Sequence, residues 1–102
     1  MIALFIQAKG QNEAEKITDY LLYKKLAFNL VILPEVIVKS IEENKVIKVN
    51  ESLIIGKTKA LLYEAIINEV KSKFPNCLVY GLPIAAMDWV MFEKLSSGIR
   101  KI

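Results

Sequence analysis

The side chains that most often carry chemistry are scarce in this sequence. It contains no histidine and a single cysteine, Cys77. Histidine is the commonest metal ligand and the commonest general base in proteins. A thiolate is a soft ligand that binds copper, so Cys77 is a candidate metal ligand. A lone cysteine more often packs as a small hydrophobic residue, and that interpretation is favoured here. The sequence shows no catalytic centre, and we expect no enzyme activity.

A second candidate for soft-metal binding is a pair of methionines. Met87 and Met91 are four residues apart, so they would share one face of a helix. Two thioethers on one face suit Cu(I). Core packing is the favoured interpretation of this pair as well, because methionine commonly fills irregular gaps.

A third candidate combines two opposite charges on one predicted strand. Glu51 and Lys57 are six residues apart, and an even spacing places both on one face if no bulge intervenes. Together they can line a cleft between subunits and hold a small charged ligand. The alternative, which we favour, is a solvated pair or a salt bridge between subunits.

Several functions of small α+β domains lack the residues that they need. An RNA-recognition strand needs aromatic side chains for base stacking, and the segment 53–57, Leu-Ile-Ile-Gly-Lys, has none. A phosphate-cradling loop with a positioned arginine is also absent, because the only arginine, Arg100, lies near the C-terminus. The net charge of +3 comes from scattered lysines. We therefore expect no nucleic-acid partner.

Composition favours one small domain that assembles with copies of itself. The 102 residues suffice for a single domain, 1–102. Hydrophobic residues make up 54% of the chain, with a mean hydropathy of +0.36. A monomer of this size has too little interior to bury such an excess. No apolar stretch is long enough to span a membrane and no signal peptide is recognisable, so we expect a cytoplasmic protein without disulfides. The segment from about residue 96 is expected to form a mobile tail.

The hydrophobic periodicity predicts alternating strands and helices. The predicted strands cover 2–7, 28–38 with an irregularity at Pro34, 46–57, and 78–84. A helix capped by Asn12 follows the first strand, one capped by Thr58 follows the third, and a short helix covers 87–95. A turn is expected at 42–45, and near Glu51-Ser52 either a bulge or a passage into fully buried sheet. The order βαββαβ plus a short helix predicts an α+β, ferredoxin-like sandwich with an antiparallel sheet.

Local motifs in this order resemble those of the CutA family. The resemblance rests on these segments: Ala14-Glu15-Lys16-Ile17, Leu21-Leu22, Lys25-Leu26-Ala27, Pro34 with Val36, Glu43-Asn44-Lys45-Val46, Glu51 followed by Leu53, Ile55 and Lys57-Thr58, and Leu82-Pro83-Ile84. Asn44 stands where the family's hairpin turn has glycine, which a left-handed turn position tolerates. The resemblance implies a ferredoxin-like domain, a tight homotrimer, and a link to divalent-cation tolerance and copper binding.

The polar residues of the family are kept less well than the scaffold. The family's Ala-Cys-Val-Asn segment is similar in position to 28–31, which reads Phe-Asn-Leu-Val, so its cysteine is replaced by Asn29. Its His-Pro-Tyr segment becomes Phe-Pro-Asn at 74–76. Two hypotheses follow. The first is a non-catalytic CutA-like trimer linked to tolerance of, and response to, divalent metal ions such as copper. The alternative is a PII-like trimeric regulatory or scaffolding module that binds a small metabolite or a partner protein at intersubunit clefts.

Overall fold

The computed structural model describes residues 1–100 as one antiparallel sheet with helices on one side. The strands are β1 (Ile2–Ala8), β2 (Phe28–Glu42), β3 (Lys45–Thr58) and β4 (Leu78–Pro83), in the sheet order β2-β3-β1-β4. The helices are α1 (Gln11–Tyr23), α2 (Tyr63–Lys73) and α3 (Trp89–Gly98), and a short 3-10 helix, Ala60–Leu62, precedes α2. The predicted α+β class, element order and antiparallel sheet are confirmed.

The core lies between the sheet and the helices. Apolar residues recur at every second position of the strands and at every third or fourth position of the helices, so each element has one apolar side. Alternate residues of β1 and β3, such as Leu4, Ile6 and Ile54, are fully buried on the side that carries the helices. Ile17 and Leu21, one turn apart on α1, pack against them. The opposite side of the sheet is not covered by any helix of residues 1–100.

The irregularity at Pro34 is a β-bulge. Leu33 pairs with Leu53 but Val36 pairs with Glu51, so Pro34 and Glu35 together face the single residue Ser52. The hydroxyl of Ser52 donates to the carbonyl oxygen of Pro34 at 2.6 Å. Strand β3 pairs with β1 without interruption, so the bulge belongs to β2. The change expected near Glu51-Ser52 is therefore the passage of β3 into the buried part of the sheet.

Among residues 1–100, residues 36–42 of β2 and residues 45–51 of β3 pair only with each other and form a two-stranded hairpin. Its loop has only two residues, Glu43 and Asn44, with φ values of 51° and 64°. Two successive left-handed residues make the turn that matches the natural twist of a hairpin. The predicted turn, with Asn44 in a left-handed conformation, is confirmed.

The predicted caps of the first two helices are wrong. Helix α1 begins at Gln11 after Gly10, with no side-chain cap, and Asn12 lies inside it. Thr58 ends β3 instead of capping a helix, because its buried hydroxyl donates to the carbonyl oxygen of Leu26 at 2.7 Å. A tertiary contact has here replaced a local capping preference.

The last helix extends further along the chain than the sequence indicated. Helix α3 starts at Trp89, two residues later than expected, and continues through the predicted tail to Gly98. Ile99 is buried, and the N–H of Arg100 donates to the carbonyl oxygen of Lys25 at 2.7 Å. Residues 96–98 are therefore helical, and the mobility expected from residue 96 stays a prediction. Residues 101–102 of that predicted tail lie outside the described residues.

Candidate functional site

The uncovered side of the sheet, which we call the open face, is apolar across all four strands. At its centre Phe5 stacks on Tyr80, with ring centroids 5.1 Å apart and planes 5° from parallel. Apolar side chains surround this pair: Val31 and Leu33 on β2, Leu53 and Ile55 on β3, and Leu78 and Leu82 on β4. Val31 is 47% exposed and Leu82 is 54% exposed. A contiguous apolar surface of this kind is typical of an interaction site.

Glu51 and Lys57 both lie on the open face, as their even spacing predicted. Strand β3 is regular between them, so about 20 Å of strand separates the two residues at roughly 3.3 Å per residue. They do not contact each other. The carboxylate of Glu51 lies 3.8 Å from the ammonium of Lys9, a residue next to the end of β1. Their part in ligand binding stays a prediction.

Lys57 has a partner that the sequence did not suggest. Its ammonium donates to the side-chain oxygen of Asn29 at 2.8 Å. Asn29 has a φ of 53°, in the left-handed region. It lies at a second bulge of β2, because Phe28 pairs with Lys57 but Val31 pairs with Ile55. The two residues between them face only Gly56.

Gly56 makes this second bulge possible. A Cβ atom at position 56 would overlap the end of the Leu30 side chain. The missing side chain therefore leaves the space that Leu30 fills. The bulge turns Asn29 outward so that its amide reaches Lys57. The sequence contains a signal for this bulge, because asparagine tolerates left-handed φ and a glycine lies opposite it. The two residues can be matched only when the strand register is known.

Cys77, the candidate metal ligand, is buried just before β4. Its backbone N–H donates to the carbonyl oxygen of Phe74 at 3.2 Å, and the ammonium of Lys71 donates to its carbonyl oxygen at 2.7 Å. Burial raises the pKa of the Cys77 thiol above its ordinary value, although nearby Lys71 opposes the shift. A thiol that resists ionisation is a poor metal ligand. Among residues 1–100, no group of three or more Cys, Asp or Glu residues is placed to hold a metal ion.

The methionine pair does not form the predicted helical face. Met87 lies two residues before α3 begins, while Met91 is within the helix. Both side chains are partly buried and pack against the core. Asp88 caps this helix, because its carboxylate accepts a hydrogen bond from the N–H of Val90 at 3.1 Å.

Tyr20 joins the two long helices, whereas Tyr23 points into solvent. The Tyr20 hydroxyl donates to the Glu69 carboxylate at 2.7 Å, and the Lys73 ammonium lies 4.9 Å from the centre of its ring. The hydrogen bond to Glu69 is the main cause that raises the pKa of Tyr20. Tyr23 is 84% exposed on α1. Neither tyrosine lies on the open face, so we assign neither to a site.

Family comparison agrees with the local motifs. The model of the CutA1 divalent ion tolerance protein matches residues 2–88. The chain belongs to the CutA1 family. The resemblance found in the local motifs is thereby confirmed. A comparison with curated protein sequences gives no match.

Solved CutA1 structures share the whole fold at low sequence identity. CutA1 from Oryza sativa superposes with a TM-score of 0.92 at 24% identity, covering 99% of this chain and 94% of that one. The divalent cation tolerance protein from Thermus thermophilus gives 0.89 at 21%, covering 98% and 100%. The periplasmic divalent cation tolerance protein CutA from Archaeoglobus fulgidus gives 0.88 at 24%, also covering 98% and 100%. At these identities the likeness shows the fold alone.

This CutA1 member therefore differs from the family's motif at the polar end of its open face. By the motif resemblance, Asn29 occupies the position of the family's cysteine. Its side-chain oxygen accepts a hydrogen bond from the Lys57 ammonium. No helix in residues 1–100 is long and apolar enough to cross a membrane.

Proposed function

We propose that the chain forms a homotrimer and acts, without catalysis, in the response to divalent metal ions. Family membership supports the link to ion tolerance. The open face supports assembly, and it is the single observation that carries this proposal. A sheet side that exposes Val31, Leu33, Leu78 and Leu82 is too apolar to face water in a free monomer.

Strand edges provide a second reason for assembly. Within residues 1–100, the outer edges of β2 and β4 have no neighbouring strand, and backbone groups at such edges readily pair with another chain. In the proposed trimer, β2 of one subunit pairs with an edge of the next, and a closed ring satisfies all the edges at once. The same ring brings the three open faces together.

A pair of substitutions tests the open face as the interface. Leu82→Lys places a charge on the open face, and Tyr23→Lys places one at an exposed site on α1, on the helical side. We expect Leu82→Lys to lower the mass measured by light scattering toward that of one subunit. Tyr23→Lys should leave the mass unchanged. Equal masses for the two variants would refute the assignment of the interface.

Copper is the metal ion that the family resemblance proposes, but the described residues of one chain do not fit a copper centre. Cys77 is buried and disfavours the thiolate, and Asn29 replaces the family's cysteine. If copper binds, Cys77 is the ligand to test. Native mass spectrometry of the reduced protein with Cu(I) would detect binding, and Cys77→Ser should abolish it. Retention of copper by Cys77→Ser would exclude the thiol, and failure of the wild type to take up copper would remove the metal from the proposal.

The alternative function is a PII-like module that binds a small metabolite or a partner protein between subunits. The placement of Glu51 and Lys57 on the open face favours it, because the proposed interface then brings both charges near a subunit boundary. A thermal-shift screen of metals and small metabolites separates the two functions, since ligands that bind the folded state raise its melting temperature. We place either function in the cytoplasm, although one structural relative is described as periplasmic.

A further inference from the structure

Two adjoining hollows lie at one end of the domain, away from Glu51 and Cys77. They meet at Met1 and Phe92, which line both. One hollow, of about 220 Å³, lies between the end of β4 and the start of α3. The other, of about 310 Å³, lies between the 3-10 helix and α3. Pockets of a few hundred Å³ with mainly apolar walls are the usual size for small-molecule sites.

The walls of these hollows are apolar and held in place. Trp89 stacks on Phe92 with ring centroids 5.6 Å apart and planes 17° from parallel. Each ring therefore limits the movement of the other. Trp89 is 67% exposed and Leu61, on the opposite rim, is 76% exposed. Large apolar side chains around a concave surface, rather than scattered singly, indicate a binding site.

One charged side chain borders this apolar surface. Among the described residues that line the two hollows, Lys59 is the only one with a charged side chain, and none carries a carboxylate side chain. Its ammonium lies 3.4 Å from the carbonyl oxygens of Ile99 and Arg100, at the long end of the range for hydrogen bonds. An ammonium has three N–H donors, and the described residues 1–100 engage Lys59 through these two carbonyl oxygens, which leaves one donor of the three for a ligand. Charge complementarity therefore favours an anion.

We propose that the joined hollows bind a small anionic amphiphile. Its apolar body would lie against Met1, Phe92 and Leu61, and its carboxylate or sulfonate would accept a hydrogen bond from Lys59. All the residues involved belong to one chain, so the site depends neither on the trimer nor on a metal ion. It is a second site, separate from the open face.

The sole tryptophan of the chain makes the site directly observable. The probe 1-anilinonaphthalene-8-sulfonate has both an aromatic body and an anionic group. Its binding beside Trp89 should quench tryptophan emission by energy transfer, and decanoate should displace it. Leu61→Glu places a like charge at the rim, and we expect it to weaken probe binding at least five-fold. The matched control Val90→Glu changes an exposed apolar residue outside the hollows and should bind as the wild type does.

A second pair of variants tests the charge and remains informative if Leu61→Glu fails to fold. Lys59→Gln keeps N–H donors for the carbonyl oxygens of Ile99 and Arg100 but removes the positive charge. We expect decanoate to bind this variant about three-fold more weakly than the wild type, because a partly exposed ion pair is lost. Decanol, which lacks the charge, should bind wild type and Lys59→Gln equally. Lys94→Gln on the exposed side of α3 is the control. Unchanged decanoate binding in Lys59→Gln, or probe binding lost in Leu82→Lys but kept in Leu61→Glu, would overturn the proposal.

Discussion

The side-chain oxygen of Asn29 accepts a hydrogen bond from the Lys57 ammonium at 2.8 Å, where the family's motif has a cysteine. An amide oxygen is a hard ligand, whereas Cu(I) prefers soft thiolate or thioether ligands. This pair is the local reason why one end of the open face does not suit a soft metal ion.

Restoring a thiol at this position should create soft-metal binding. In a Cys77→Ser background, Asn29→Cys places a thiol beside Lys57, whose positive charge lowers the pKa of that thiol. We expect uptake of Cu(I) that the background protein lacks, measured by native mass spectrometry. The left-handed φ of 53° costs a non-glycine residue without a suitable side chain about 1 kcal/mol, so stability should fall slightly. Asn29→Ser is the control, and equal uptake by the serine and cysteine variants would contradict the argument.

The bulge at Asn29 should depend on Gly56. In Gly56→Ala the new methyl group collides with Leu30, so the core must shift or the bulge must rearrange. We expect a loss of about 1–3 kcal/mol in the free energy of unfolding, measured by urea denaturation.

Gly10→Ala provides the comparison for this loss. In the described part of the chain, no atom beyond the adjacent residues lies within 4 Å of the position that a Cβ would take at Gly10, and the cost should stay below about 1 kcal/mol. Equal losses in the two variants would show that the space beside Leu30 is not the reason for glycine at position 56.

Tyr20 should titrate later than an ordinary tyrosine. Its hydroxyl donates to the Glu69 carboxylate, which raises the pKa of the phenol above its usual value near 10. The stabilisation from this hydrogen bond is fully present below the pKa of the unfolded tyrosine and is lost as pH rises through the raised value. Absorbance titration near 295 nm should show a late step that Tyr20→Phe removes. Tyr23→Phe, which changes an exposed ring, should keep the late step. Loss of the late step in Tyr23→Phe would contradict its assignment to Tyr20.

Sequence periodicity was sufficient to predict the architecture. The alternation in β3 and the helical spacing from Ala14 to Leu21 determine which side of each element is buried, and element order then leaves few topologies. Pro34 marked a bulge because proline cannot donate to a neighbouring strand. Asn44 marked the hairpin because asparagine tolerates positive φ.

The site was less predictable because it depends on strand register. Even spacing placed Glu51 and Lys57 on one face, but only the register shows that Asn29 meets Lys57 across the second bulge. The capping role expected of Thr58 was wrong because its hydroxyl reaches Leu26, 32 residues away along the chain. Contacts of such separation leave no local pattern. The hollows around Phe92 combine three distant segments and were invisible for the same reason.

The mass of the native protein in solution tests the central claim most directly. If the open faces of three subunits meet, light scattering of the purified, reduced chain should give three times the 11.6 kDa of one subunit, unchanged on dilution through the micromolar range. A stable species with the mass of a single subunit would contradict the trimer, and with it the function proposed for the open face.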